Sequence, residues 1–220
     1  MTVFRSLAMI TMALGTSVLM TQALGSLDRV GDFALLDERG EFHQISRYQH
    51  RKAVVMMSYH PSCANISDSV NYLSKLNAKY ADQDVEFLLL DSSGAGRVEA
   101  NERGLEFPLL DDASQLVSAS LQIEQGGEVI VFNPERLSLF YRGAANQSLD
   151  STLQILLDGD VRDTVKNAIT GCAIDYPVRD KLLASPPDYT TEIAPIIIEN
   201  CAECHRWGGA GPFALDSYTS

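Results

Sequence analysis

The strongest signal in the pattern of hydrophobic and polar positions is Ala53-Val54-Val55-Met56-Met57-Ser58-Tyr59, a nearly continuous apolar run. An apolar run without polar alternation predicts a strand covered on both faces, inside a sheet. Soon after it, Ile66, Val70, Leu73, Leu76 and Tyr80 recur at three- and four-residue spacings, the stripe of an amphipathic helix. Residues 85–90 and 129–132 repeat the buried-strand pattern. After the turn residues Asn133-Pro134-Glu135, residues 137–142 predict an antiparallel partner strand. Upstream, residues 32–45 fold about Arg39-Gly40 and predict two short strands of a hairpin. Short helices are expected at 97–103, 114–121 and 149–157. Strands alternating with helices, closed by a hairpin and a helix, predict an α/β fold: a mixed sheet with flanking helices.

The pattern then changes. Residues 176–189 read as a linker centred on Ser185-Pro186-Pro187-Asp188, which separates a domain over 27–175 from a smaller piece over 190–220. Thr191 can cap a new helix carrying Ile193, Ile196 and Ile197 on one face. With 220 residues and 45% hydrophobic content, the chain has enough apolar material for a core and is not a disordered chain. Seventeen Lys and Arg stand against 29 Asp and Glu, a net charge of −12. That balance argues against nucleic acid and anionic membrane surfaces as partners, and is compatible with a basic redox partner. At the start, Arg5 is the only charge before Asp28, and residues 7–19 are apolar apart from small and hydroxyl residues. Thr21-Gln22-Ala23 ends this run like a cleavage site, with Gly25 an alternative end, so 1–23 reads as a signal peptide. An uncleaved anchor, the one route to a membrane here, is the alternative reading. Either puts the body of the protein outside the cytoplasm, and the expected location is the periplasm.

The sharpest motif is Cys201-Ala202-Glu203-Cys204-His205. Two thiols two residues apart, followed at once by a histidine, form the attachment signature of a c-type haem. Each thiol adds to one porphyrin vinyl group, and the adjacent imidazole becomes the proximal iron ligand. Half a zinc site and a redox Cys-x-x-Cys are the alternatives; nothing after His205 supplies a further Cys or His for zinc. Haem c is the expected cofactor, on Cys201 and Cys204, with His205 on the iron. The following Trp207-Gly208-Gly209 and Gly211-Pro212-Phe213-Ala214-Leu215 resemble the start of cytochrome c modules found beside redoxin domains in exported bacterial proteins. Such modules run on for some dozens of residues and supply a distal methionine. All six Met here lie at or before Met57, so 190–220 is expected to be the N-terminal part of an all-α cytochrome c-like domain.

His60-Pro61-Ser62-Cys63 stands between the first buried strand and its helix, and Phe107-Pro108-Leu109-Leu110-Asp111 and residues 128–132 lie downstream. On these positions the region from about 30 to 145 resembles the redoxin branch of the thioredoxin-like superfamily, close to the alkyl hydroperoxide reductase and thiol-antioxidant group. The resemblance implies a thioredoxin-like fold and a reactive thiol at Cys63, and hence a thiol-dependent oxidoreductase. It also implies a role for Cys172: some redoxin relatives carry a similar Gly-Cys-x-Ile after their last helix, which makes Cys172 a possible resolving thiol. Three family features differ. Ile66 stands where a second active-site cysteine would be. Met56 and His60 stand where peroxiredoxins have Pro and Thr or Ser. Gly126 and Gly127 stand where the superfamily keeps a cis-proline.

From the residues themselves, Cys63 at a helix N-terminus near His60 can hold a stabilised thiolate, or be an inert, partly buried thiol. For Cys172 the alternative to a disulfide partner is a free structural thiol. His43 and His50 read as solvated, Asp111-Asp112 and Asp158/Asp160 as exposed charges, and Gly94-Ala95-Gly96 as a turn. The expected function is an exported redox protein coupling a redoxin-like domain to a covalent haem for electron transfer with a periplasmic donor or acceptor. The alternative is a non-catalytic docking module beside an electron-transfer cytochrome.

Overall fold

In the computed structural model, residues 28–95, 104–159 and 163–215 are described. The signal peptide expected at 1–23 and the helix expected at 97–103 lie outside them. The apolar run forms β3 (Ala53–Tyr59), buried at all seven positions. It pairs in parallel with β4 (Val85–Asp91) and antiparallel with β6 (Glu128–Asn133). β4 pairs in parallel with β5 (Leu109–Asp111), β6 antiparallel with β7 (Ser138–Ala144), and β7 in parallel with β8 (Val165–Lys166). The order is β5-β4-β3-β6-β7-β8, so β3 lies inside the sheet with a layer on each side. Alternation of side chains splits the core in two. Val55, Met57 and Tyr59 pack with α1 (Ile66–Tyr80) and the helix α3 (Gln147–Leu157), through Leu73, Leu76, Leu149 and Leu153. Val54 and Met56 face Ile45, Leu121, Ile130, Phe132 and Ile174 instead. The short α2 (Leu116–Ser120) lies in the connection between β5 and β6.

These elements match the expected mixed α/β sheet, and β1 (Ala34–Leu36) with β2 (Phe42–Gln44) forms the expected hairpin. Three local readings need correction. His43 is not solvated: its ring sits between the Tyr48 hydroxyl, 2.5 Å away, and the Asp37 carboxylate, 3.1 Å away. Asp112 is fully buried rather than exposed, and accepts hydrogen bonds from the backbone N–H groups of Val117 and Ser118 in α2. Residues 176–189 include a helix, α4 (Pro177–Ala184), with Pro177 at its first turn, where no backbone N–H is needed. Beyond Ser185, Asp188 rather than Thr191 caps the next turn, accepting from Thr191 N–H at 2.8 Å. That turn leads into α5 (Ala194–Asn200), on which Ile196 and Ile198 are exposed. After α5 the chain proceeds to Phe213 in successive turns. No helix among the described residues is long and apolar enough to cross a membrane.

The Asp37 cluster gives the fold an acid-sensitive element. Burial alone would raise this carboxyl, but donors from Glu41 N–H, His43 and Arg39 outweigh it and hold the pKa below the usual carboxylate value of 3.8. The unfolded carboxyl therefore takes up its proton at higher pH than the folded one, and protonation favours unfolding. The stabilisation is present above the ordinary value and lost as pH falls through the lower folded value. Urea unfolding midpoints followed into acid should fall for the native protein, and should fall less for Asp37→Asn from a lower neutral-pH starting point.

Candidate functional site

Ser58 and Tyr59 end β3, and His60-Pro61-Ser62-Cys63 turns the chain into α1, with Cys63 N–H donating to His60 O at 3.0 Å. Pro61 cannot donate to a sheet, so the strand stops there. The turn leaves Cys63 just before Asn65, the N-cap of α1, and only 3% exposed. Here the positive end of the helix dipole favours a thiolate.

Cys63 is bonded to Cys172, 109 positions further along the chain, with Cα atoms 5.4 Å apart. The two thiols implied by the resemblance are therefore brought together. The segment carrying Cys172 is docked by its backbone. Gly126 N–H donates to Cys172 O at 2.9 Å, Ile174 N–H to Glu124 O at 3.0 Å, and Gln125 and Ala173 form an antiparallel bridge. Side chains add to this: Gln125 Oε1 accepts from Gly171 N–H, and Asn65 Nδ2 donates to Thr170 O, both at 2.8 Å. Further along, Gln115 donates to Ser92 O and accepts from Val178 N–H, while Ile174 is buried in the second core.

Gly126 and Gly127 have a positive role in space. A Cβ on Gly126 would lie 2.3 Å from Cys63 Sγ, 3.0 Å from His60 Cβ and 3.3 Å from Cys172 Sγ. A Cβ on Gly171 would lie 2.1 Å from Gly126 O. Gly127 has φ +84, a left-handed conformation that favours glycine, and donates to Ser58 O at 2.8 Å. No described peptide bond is cis. The two glycines thus let the loop and the Cys172 segment close on the sulfurs.

The loop is braced from below. Glu128, nearly fully buried, accepts from Glu124 N–H and pairs with Arg142, which also donates to Leu121 O and Gln122 O. Burial pushes the Glu128 carboxyl above its ordinary value, with Arg142 acting against the rise. Sequence reading missed this pair, together with Asn65, Gln115 and Gln125, because each acts through a partner distant in sequence.

The AhpC/TSA family model matches residues 27–141, just over half of the chain. The chain belongs to the AhpC/TSA family. The comparison with solved structures agrees on the fold of this AhpC/TSA protein. A hypothetical protein of Sinorhizobium meliloti 1021 is 20% identical, with 68% of this chain and 93% of that one covered at a TM-score of 0.61. An uncharacterized conserved protein of Geobacillus kaustophilus is 22% identical, covering 67% and 90%, also at 0.61. A thiol-disulfide oxidoreductase of Bacteroides fragilis NCTC 9343 is 18% identical, covering 58% and 98%, at 0.52. At these identities the likeness is one of fold: thioredoxin-like, with a mixed sheet and flanking helices. No curated protein matches the chain.

The second set of sequence-predicted residues lies on the turns after α5. Cys201 and Cys204 are free thiols, the first partly buried and the second exposed. His205 N–H donates to Cys201 O at 2.9 Å, so thiols and imidazole share one turn. His205 Nδ1 lies 3.0 Å from Phe213 O; donation to that carbonyl leaves Nε2 with its lone pair free. Gly211 allows the chain to wrap the ring, since a Cβ there would lie 2.6 Å from Nδ1. Ile196, Ile198, Trp207 and Phe213 present apolar surface around this turn, Trp207 at 90% exposure. Free thiols at this spacing, an oriented imidazole and uncovered apolar side chains fit a covalently attached porphyrin.

Gly126→Ala should keep the Cys63–Cys172 bond from closing and cost about 1–3 kcal/mol of stability by overpacking. Gly31→Ala, where a Cβ meets nothing within 4 Å, is the control. Alkylation of unreduced protein followed by mass spectrometry should find both cysteines modified in the first variant and neither in the second.

Proposed function

We propose that this AhpC/TSA protein is an exported thiol–disulfide redox protein whose C-terminal arm carries a haem c, placing disulfide exchange and electron transfer on one chain. The observation that carries the proposal is the Cys63–Cys172 pair, an attacking position at a helix N-terminus joined to a thiol delivered by the arm. Starting from the reduced pair, the Cys63 thiolate attacks a substrate disulfide, forming a mixed disulfide and expelling one substrate thiolate. Cys172 then attacks Cys63 Sγ, the second substrate thiolate leaves, and the Cys63–Cys172 bond forms. Two electrons and two protons pass to the substrate. Docking of residues 171–174 along 124–126 keeps Cys172 within reach of Cys63 throughout.

Cys201 and Cys204 are the thioether attachment points and His205 the proximal ligand, with Phe213 O fixing the ring through Nδ1. A haem c, when bound, supplies a one-electron Fe(III)/Fe(II) couple. The arm would hold it through Cys201, Cys204 and His205, and the exposed Phe213 beside His205 would offer it apolar surface. The partner is a periplasmic electron donor or acceptor, and the net charge of −12 favours a basic one.

Expression with a haem c maturation system should give protein that stains for haem after denaturation and yields a pyridine haemochrome. Cys201→Ala with Cys204→Ala should abolish both signals; haem that washes off the native chain under denaturation would end this part of the proposal. Exported protein should have lost residues 1–23 or 1–25 by intact mass. Turnover of a model protein disulfide should be lost on Cys63→Ser. Turnover unchanged by that substitution, or absent in the native chain, would instead favour the non-catalytic docking module, a reading that the deep burial of Cys63 also supports.

A further inference from the structure

Disulfide exchange uses two members of a group of three. One imidazole nitrogen of His60 and the sulfurs of Cys63 and Cys172 all lie within 4.8 Å of one another. His60 Nδ1 is buried without a hydrogen-bond partner. A buried ring nitrogen in that state has given up its bond to water and received nothing in return, which calls for a chemical reason. Gly126 permits the convergence: a Cβ there would lie 2.3 Å from Cys63 Sγ, 3.0 Å from His60 Cβ and 3.3 Å from Cys172 Sγ, so the three groups can share one face only because residue 126 has no side chain.

The docking of the Cys172 segment does not depend on the S–S bond. Hydrogen bonds from Gly126, Ile174, Gly171 and Asn65, with the burial of Ile174, hold it in place when the bond is broken. The reduced protein then has two thiols whose Cα atoms remain close and an imidazole beside them. Two thiolates and one neutral imidazole make a three-coordinate donor set of two sulfurs and one nitrogen, which suits a thiophilic d10 cation. Cu(I) accepts three ligands, whereas Zn(II) favours a fourth.

We propose that reduction of the Cys63–Cys172 disulfide creates a binding site for a single thiophilic d10 cation, held by Cys63 Sγ, Cys172 Sγ and His60. An external dithiol gives up two electrons and two protons and becomes a disulfide, while the Cys63–Cys172 bond is replaced by two thiols. The cation displaces the two thiol protons to solvent as two metal–sulfur bonds form, and its oxidation state does not change. A disulfide oxidant that takes two electrons from the thiolates restores the S–S bond and expels the cation. The same two sulfurs cannot serve exchange and metal at once, so the redox state of the pair decides which.

The test uses the full chain with Cys201→Ala and Cys204→Ala, which removes the other pair of thiols. Because the site rests on the reducible pair of the proposed function, thiols are counted first, after treatment with a dithiol and its anaerobic removal. The protein is then titrated with Cu(I) against bicinchoninate and, separately, with Zn(II) against a chromophoric chelator. The expected result is one equivalent of Cu(I) on reduced protein, none on oxidised protein, and two sulfur and one nitrogen scatterers by X-ray absorption. His60→Ala should weaken binding by at least ~10-fold, and Cys172→Ser should remove it, with unfolding midpoints confirming that both variants fold. Selective retention of Zn(II) supports the same site and identifies the ion. Two free thiols with no cation retained, or retention indifferent to Cys172→Ser, would overturn the metal site while leaving exchange intact. No thiols after reduction would overturn both.

Discussion

The constraint on which the site depends is the absence of a side chain at residue 126. Three segments converge there: the turn from β3 into α1, the loop entering β6, and the arm after β8. At residue 126 the approach is of backbone to sulfur, and at residue 171 of backbone to backbone, at distances that a single methyl group would forbid. With glycine at 126, the backbone of the loop and the Cys172 sulfur both fit against Cys63.

The bracing around this point is ionic and polar rather than apolar. Glu128 and Arg142 sit on adjacent strands and tie the backbone of residues 121–124 to the sheet. A buried pair of this kind contributes little net stability, because desolvation offsets much of the attraction. Its effect is positional: it fixes the direction from which the loop approaches Cys63. Gln115, held at φ +62, does the same for the arm by binding backbone groups on both sides of it. The disulfide adds a restraint on the unfolded chain worth about 2–4 kcal/mol.

The two chemical centres differ in how they are built. The Cys63 site is assembled from residues more than a hundred positions apart, and each donor is fixed by sheet, helix or docked strand. The Cys201–His205 turn is local: both thiols, the imidazole, the carbonyl that meets its Nδ1 and the glycine beside the ring all fall within 13 residues, from Cys201 to Phe213.

That difference explains what could be read from the chain alone. Periodicity determined the sheet and its covering helices, because a buried strand and an amphipathic stripe are local properties of consecutive residues. The Cys-x-x-Cys-His motif was legible for the same reason. Within residues 176–189, the helix α4 was not anticipated because Ser185-Pro186-Pro187 drew attention away from the helix start at Pro177. His43 and Asp112 were misread because burial of a polar side chain is decided by partners elsewhere in the chain. Only the tertiary structure could show that Gly126 lies against both sulfurs, that Gln125 and Asn65 hold the arm, and that His60 meets both thiols. Pairing across a hundred residues depends on the register of a docked strand. No pattern among neighbouring residues encodes that register.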